Sequence, residues 1–225
     1  MQHQKADNFH NRGVFVPSSS KSLQWHIERE ISDHGCYCDL NNIDLSRIRR
    51  ISGIFDGTQF QGDISLWDTS QIFDMSNLFE NSIFNGDISQ WNVQNVNNFN
   101  STFLNSKFNG DISKWDTTNA DTMSQMFKNS IFNGDLSRWN TDRVTLMNQM
   151  FYASEFNGDI SQWNVSHVLG MDEIFEYSKF NSDLRPWNLK SLSDSSRRII
   201  EFRQERFKLQ EALQVQPHTQ NIKAL

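Results

Sequence analysis

The sequence predicts an α/β solenoid, a stack of about seven 24-residue coils with a capping helix at each end. Six tryptophans recur at intervals of 24 residues from Trp67 to Trp187, and two phenylalanine columns keep the same period. The decapeptide FNGDISQWNV occurs twice without change, at residues 84–93 and 156–165. Such self-similarity at a fixed period is typical of stacked repeats, in which each unit contacts only its neighbours.

Each unit contains one candidate strand and one candidate helical turn. In the I-x-x-W-x-V segment, Trp91 and Val93 share a face and Asn92 points the other way, as the period of two in a strand requires. The M-S-Q-M-F segment at 123–127 has apolar residues at helical spacing. The F-N-G-D stretch that begins each unit favours a turn, because Gly reaches unusual φ values and Asn and Asp bond nearby backbone.

The repeat segment covers residues 36–190, and its first coil is degenerate. Subtracting 24 from Phe60 leads to Cys36, which we therefore expect to occupy a core position as a small hydrophobe. Two cysteines, Cys36 and Cys38, are too few for a disulfide framework, and they do not have the ligand number of a metal site.

Helical segments flank the repeats. Residues 20–35 are predicted to form an N-terminal capping helix, with Leu23, Ile27 and Ile31 on one face. Residues 191–216 are predicted to form a C-terminal capping helix. Its apolar stripe, which we expect to cover the end of the stack, consists of Ile199, Phe202, Leu209 and Leu213. Residues 1–19 and 217–225 are predicted to be flexible.

The unit F-N-G-D-[IL]-S-x-W-[DN]-[TV], followed by M-x-x-M-F-x-x-S, resembles the BspA-like leucine-rich repeats of bacterial surface and lipoprotein-type proteins. The segment G-x-x-x-D-L-N-x-I-D-L-S at residues 35–46 extends the resemblance, which covers about residues 20–190. The resemblance implies a right-handed, leucine-rich-repeat-like solenoid used for binding or adhesion. It implies no catalytic residues.

Composition and charge exclude several classes of function. The formal net charge of −6 argues against direct binding of nucleic acid, which needs a basic face. No apolar run approaches the roughly 20 residues of a membrane span, and the N-terminus has no apolar signal segment. We therefore expect no membrane partner and a cytoplasmic location. No nucleophile elbow, H-E-x-x-H or phosphate loop is present, so the chain is not predicted to be an enzyme.

One aspartate recurs in every unit, and this column is open to two interpretations. Stacked about 5 Å apart, unpaired carboxylates would repel each other. Each aspartate either caps backbone N–H groups of its own turn, which stabilises the ionised form, or shares a cation with the next coil. We favour capping and predict neither a metal nor another cofactor. The column consists of Asp39, Asp63, Asp87, Asp111, Asp135, Asp159 and Asp183.

The candidate binding residues lie beside the inward tryptophans, where packing does not fix residue identity. If the strand prediction is right, they line one continuous face, the usual binding face of such repeats. A solvated face without a partner is the alternative. The predicted partner-binding residues are Leu66, Asp68, Gln90, Asn92, Gln94, Lys114, Asp116, Arg138, Asn140, Asp142, Gln162 and Asn164.

These patterns favour a non-catalytic module of bacterial or phage origin that binds a protein partner as an inhibitor, immunity factor or effector. No Lys or Arg occurs between Arg50 and Lys107, so the N-terminal coils should attract basic partners. An alternative is a DNA mimic that inhibits a nucleic-acid-binding protein, and another is a structural or adhesive surface protein. The oligomeric state is left open by the sequence.

Overall fold

The computed structural model describes residues 13–214. It contains helix α1 (Ser20–His34), helix α2 (Asp194–Gln214) and, between them, stacked 24-residue coils built from turns. The predicted flexible tail 217–225, residues 215–216 of the predicted C-terminal helix and residues 1–12 of the predicted flexible N-terminal segment lie outside the described residues.

The predicted α/β solenoid with leucine-rich-repeat strands is wrong. Within residues 13–214 the chain between the helices forms turns, bends and isolated parallel bridges, and neither a strand nor a sheet is present. The W-x-V segment folds as two successive turns, in which the Trp91 N–H bonds the Ile88 carbonyl and the Val96 N–H bonds the Val93 carbonyl. Local side-chain acceptors compete with a strand ladder here, because Asp87 and Asn92 each bind a backbone N–H two residues later.

One regular series of backbone bonds between neighbouring coils lies in the segment predicted as helical. Alternate N–H groups from Met75 to Asn81 donate to carbonyls 23 residues later, at distances of 2.8–3.0 Å. Asn77 and Asn81 have φ values of 59° and 53°, so left-handed residues interrupt the segment and it cannot continue as a right-handed helix. The apolar spacing that suggests a helix reflects burial on the inner side of these turns.

The aromatic columns form the core, as predicted. Phe103 stacks on two rings of the next coil, Phe108 at 4.5 Å and Phe127 at 5.5 Å, measured between ring centroids. Trp115 and Trp139 stack at 6.3 Å with an interplanar angle of 6°. All five side chains are at most 3% exposed. Parallel stacking of like rings therefore links each coil to the next.

Each tryptophan of the repeat also bonds the preceding coil. The Trp115 Nε1–H donates to the carbonyl oxygen of Ile88, 27 residues earlier, at 3.1 Å. The same bond, 2.9–3.1 Å long, is made by all six tryptophans of the column. The indole N–H is therefore satisfied although the ring is buried.

The degenerate first coil places Cys38 in the core, which corrects the prediction for Cys36. Cys38 is 1% exposed, whereas Cys36 is half-buried. The Cys38 N–H closes a turn on the Gly35 carbonyl, and this turn directs the Cys38 side chain inward.

Helix α1 covers one end of the stack. Ser19 and Ser22 form a reciprocal capping box at its N-terminus, and Leu23 and Ile27 on its inner side are fully buried. Residues 13–19, which belong to the predicted flexible segment, are held in place: Phe15 forms a parallel bridge with Ile43 and its ring stacks on the His26 ring at 3.6 Å.

Helix α2 does not cover the other end with its predicted stripe. Its fully buried apolar residue is Ile200, whereas the side chains of the predicted capping stripe are 42–74% exposed. Polar contacts set this orientation, because Arg203 and Gln204 donate hydrogen bonds to carbonyls of the last coil. The stripe that faces solvent consists of Ile199, Phe202, Leu209 and Leu213.

Replacing Trp139 by Phe tests the indole bond between coils. The Trp139→Phe variant removes the indole donor from the buried Ile112 carbonyl, which keeps only the Trp115 N–H, and it also removes ring volume. We expect its free energy of unfolding, measured by urea denaturation, to fall by about 2–3 kcal/mol. Trp25→Phe is the matched control, because Trp25 is 58% exposed and should change stability by less than about 0.5 kcal/mol. Equal losses in the two variants would contradict the role given to the indole bond.

Candidate functional site

The candidate site is the surface formed by the paired turns of successive coils, which we call the turn face. It comprises residues 63–70, 87–94, 111–118, 135–142 and 159–166. In each coil the tryptophan points inward between the two turns, and the residue before it points to solvent. The predicted continuous strand face is therefore a continuous face of turns.

Every turn of this face is closed by an Asp or Asn side chain. Asp111 Oδ1 accepts the Ser113 N–H at 2.9 Å, and five residues later Asp116 Oδ1 accepts the Thr118 N–H at 3.1 Å. The predicted capping by the aspartate column is confirmed, because all seven aspartates accept the backbone N–H two residues later. These bonds hold the turns in one conformation.

The caps also lower the pKa of several of these carboxylates. The backbone N–H and hydroxyl of Ser113 lower the pKa of Asp111, and those of Ser137 lower the pKa of Asp135. Burial works to raise the pKa of Asp63, but hydrogen bonds from Ser65 and Asn41 outweigh it, and the net pKa is lowered. The turn face therefore carries fixed negative charges at neutral pH.

The predicted binding residues all lie on the turn face. Eleven of the twelve are exposed and Asn140 is half-buried. Asn164 and Asp142 of neighbouring coils are joined by a 2.8 Å hydrogen bond. The structure gathers four of the twelve around one depression, and the other eight are spread over the remaining turns. The four are Lys114, Asp116, Arg138 and Asn140.

This depression, which we call the central groove, has a volume of about 500 Å³ and lies between two neighbouring coils. Lys114 and Arg138 occupy the same position in their coils, 24 residues apart, and both are exposed. Asp116 and Asp135 contribute carboxylates to the lining. Within residues 13–214 neither cation forms an ion pair with a carboxylate within 4.0 Å, although each helps to lower the pKa of the aspartate three residues before it.

Sequence reasoning misses part of this groove. Asp135 lines it as well as capping its own turn, and Thr117 and Thr118 complete the wall. The Thr117 hydroxyl donates to the Asn140 carbonyl of the next coil at 2.8 Å and so holds the two coils together beneath the groove. The signal for this bond is the Thr that stands in place of Val two residues after the tryptophan in three of the coils.

Comparison with known proteins identifies the family. The model of the family described as "Mycoplasma protein of unknown function, DUF285" matches residues 29–131 and 105–210, which together include the whole turn face. The chain belongs to the DUF285 family. Membership supports the prediction of a repeat family, without a leucine-rich-repeat assignment. No curated protein and no solved structure gave a significant match to this DUF285 chain.

Two further observations concern the part of this DUF285 protein that the structure describes. Neither of its helices is long and apolar enough to cross a membrane. No group of three or more His, Cys, Asp or Glu side chains in residues 13–214 is arranged to hold a metal ion. Seven of the eight acidic side chains of the turn face cap its turns, and the eighth, Asp142, accepts a hydrogen bond from Asn164.

Removing one cap tests its contribution to stability. Asp135→Ala deletes the acceptor of the Ser137 N–H, and we expect it to lower the free energy of unfolding by about 1 kcal/mol at pH 7. Asp135→Asn keeps a side-chain acceptor, as Asn140 does at the second turn of the same coil. Its free energy of unfolding should therefore fall by less than that of Asp135→Ala.

The same variants test the lowered pKa of Asp135. A carboxylate with a lowered folded pKa stabilises the fold above its unfolded pKa of about 4, and that contribution disappears as the pH falls through the folded pKa. We therefore expect the difference in free energy of unfolding between the wild type and Asp135→Ala to become smaller in acid. Urea denaturation between neutral pH and about pH 2 measures this difference. A deficit that is constant with pH, or equal in the Asn and Ala variants, would contradict the cap.

Proposed function

We propose that this protein is a non-catalytic binding module that engages a protein partner through its turn face. The central groove carries the proposal, because it places two unpaired cations on neighbouring rigid turns. The residue before each tryptophan changes from coil to coil while the aromatic core is retained. This combination is typical of repeat proteins whose stacked units present a binding surface.

Preorganisation supports binding at the turn face. Residues of the face are fixed by two capped turns per coil, so little backbone freedom is lost when a partner docks. The tryptophan beneath each turn is anchored to the preceding coil by its indole bond, which fixes the spacing between neighbouring side chains. A partner with matching spacing can then contact several coils at once.

The central groove favours an acidic contact group on the partner. The Arg138 guanidinium can hold a carboxylate through two parallel hydrogen bonds, and Lys114 adds a second positive charge. Asp116 and Asp135 flank these cations and would repel a partner that carries acidic groups over its whole surface. The groove is therefore suited to an isolated Asp or Glu surrounded by hydrogen-bond donors.

The biological role follows from the same binding activity. We propose that the chain acts as an inhibitor, immunity factor or effector in a bacterium or a phage, by occupying its partner's surface. A relationship to BspA-like surface proteins belongs to this proposal, because those proteins serve binding or adhesion. Membership of the DUF285 family and the repeated turn face are both compatible with such a role.

Charge reversal in the central groove tests the proposal. The wild-type chain and a Lys114→Glu, Arg138→Glu variant are used as baits in native-host extract, and the captured partner is identified by mass spectrometry. We expect the variant to bind that partner at least about tenfold more weakly in a direct binding measurement, because both cations become repulsive.

The matched control is Lys107→Glu, Lys179→Glu. Both lysines are exposed, lie outside the turn face and are changed by the same total charge. The control should bind as the wild type does. Equal affinity of the groove variant and the wild type would rule out the central groove as the contact.

A second candidate function is mimicry of DNA by the acidic N-terminal coils. It is favoured by the fixed carboxylates of the turn face between Arg50 and Lys107, a stretch without Lys or Arg. The hydroxyl and backbone N–H of Ser70 lower the pKa of Asp68, and Asp63 five residues earlier is likewise kept ionised. Regularly spaced permanent charges are the feature by which a DNA-binding protein recognises the phosphate backbone.

Salt dependence separates the two candidates. A DNA mimic should lose affinity for a basic, nucleic-acid-binding partner steeply between about 50 and 300 mM salt, and duplex DNA should compete with it. Asp63→Asn, Asp87→Asn should weaken such binding, because Asn keeps the caps while removing two charges. Binding that is insensitive to salt over this range, or unaffected by duplex DNA, would exclude mimicry.

A further inference from the structure

Helix α2 is fixed to the last coil by its polar side. The Arg203 guanidinium donates to the carbonyl of Phe175 at 2.8 Å and to that of Phe180 at 3.2 Å, and it lies over the Phe175 ring. The Gln204 side-chain amide donates to the Leu184 carbonyl at 2.7 Å. These bonds satisfy carbonyls at the end of the stack and determine which side of the helix faces inward.

A second set of contacts holds the C-terminal half of the helix in the same orientation. Arg185 of the last coil forms ion pairs with Asp183 and Glu211, and its guanidinium lies 5.1 Å from the centre of the Phe207 ring. Turning the opposite side of α2 inward would break these ion pairs as well as the bonds of Arg203. The outward side is therefore a stable feature of the fold.

The outward side carries an apolar stripe, which we call the α2 stripe. Its members follow alternating steps of three and four residues and so lie along one side of the helix. The four apolar members are 42%, 70%, 64% and 74% exposed, whereas the inner apolar residues of α1, Leu23 and Ile27, are fully buried. The α2 stripe consists of Ile199, Phe202, Arg206, Leu209 and Leu213.

The α2 stripe is complementary to itself in the antiparallel direction. Arg206 is at its centre, with two apolar residues on each side, so an antiparallel copy places Leu213 near Ile199 and Leu209 near Phe202. Ile199 and Phe202 border a depression of about 340 Å³, large enough to receive leucine side chains from the opposite helix. The rest of its lining consists of Arg198, Arg203 and Arg206. A single helix thus supplies both the hollow and the side chains that fill it.

Charge at the centre of the stripe agrees with the same pairing. Glu205 precedes Arg206, and in an antiparallel pair centred on Arg206 each guanidinium faces the Glu205 carboxylate of the other copy. Glu205 is paired with the exposed Lys208 in the single chain, a contact that is readily exchanged. The two central arginines are therefore neutralised across the interface.

We propose that the α2 stripe binds a second copy of this chain, forming a two-fold dimer through antiparallel α2 helices. An interface of this kind is isologous, so each contact occurs twice and the assembly closes at two subunits. The dimer presents two turn faces to a partner.

Light scattering coupled to size-exclusion chromatography tests the dimer with the full chain. We expect the wild type to approach twice its monomer mass of 26.3 kDa as its concentration rises. Phe202→Glu, Leu209→Glu should remain at the monomer mass, because two carboxylates would be buried without partners. Circular dichroism and thermal unfolding of this variant should match those of the wild-type monomer, since both side chains are exposed.

Leu66→Glu is the matched control. Leu66 is 77% exposed on the turn face, so the same change there should leave dimerisation intact. A wild type that stays monomeric at every concentration would overturn the proposal. A dimer that persists in Phe202→Glu, Leu209→Glu, or that is lost in Leu66→Glu, would overturn it too.

Single cysteines determine the direction of the helices. Arg206→Cys is expected to form a disulfide-linked dimer on mild oxidation, because the two-fold axis passes close to this position. Leu213→Cys should not, since antiparallel helices separate the two Leu213 positions. The wild-type chain, oxidised in the same way, is the control for cross-links through Cys36 or Cys38. Cross-linking through Leu213→Cys, or its absence in Arg206→Cys, would contradict the antiparallel pair.

Discussion

Each tryptophan of the repeat belongs to two coils at once, since its ring fills the core of its own coil while its Nε1–H bonds a carbonyl 27 residues earlier. The bond requires both a ring position and a backbone position to recur in register. An inserted residue would leave the indole N–H buried without a partner, at a cost of about 1–3 kcal/mol. This constraint accounts for the uninterrupted 24-residue spacing. The stacked phenylalanines and the turns above the tryptophans take their positions from it.

The same constraint leaves the outer surface free to vary. The turn and the buried ring fix the backbone of the residue before the tryptophan, whose side chain points to solvent. That residue can therefore differ between coils without disturbing the core. Lys114 and Arg138 meet at the central groove because neighbouring coils happen to carry cations at equivalent positions. Binding specificity and fold are thus encoded by different columns of one repeat.

The repeat period, the aromatic core and the capping aspartates were predictable because each depends on residue identity at a fixed spacing. The strand was not, because Asp87 and Asn92 supply local acceptors to N–H groups that a ladder would need. The left-handed backbone positions could not be predicted either, because residues such as Gln125 and Tyr177 occupy them instead of glycine. The exposed residues of the site could be predicted from the repeat. The central groove could not, because its shape depends on how the side chains of two neighbouring coils are arranged. The orientation of α2 depends on the bonds of Arg203 to particular carbonyls, which hydrophobic periodicity does not reveal.

The bonds between coils also have a mechanical meaning. They form several parallel columns along the stack, so that detaching one coil breaks one bond of every column together. Tension applied through the chain ends would therefore peel the molecule from an end in equal lengths of 24 residues, each releasing about 80 Å of extended backbone. Under such tension the chain would lengthen in steps of equal size. Each step absorbs mechanical work while the remaining coils stay folded.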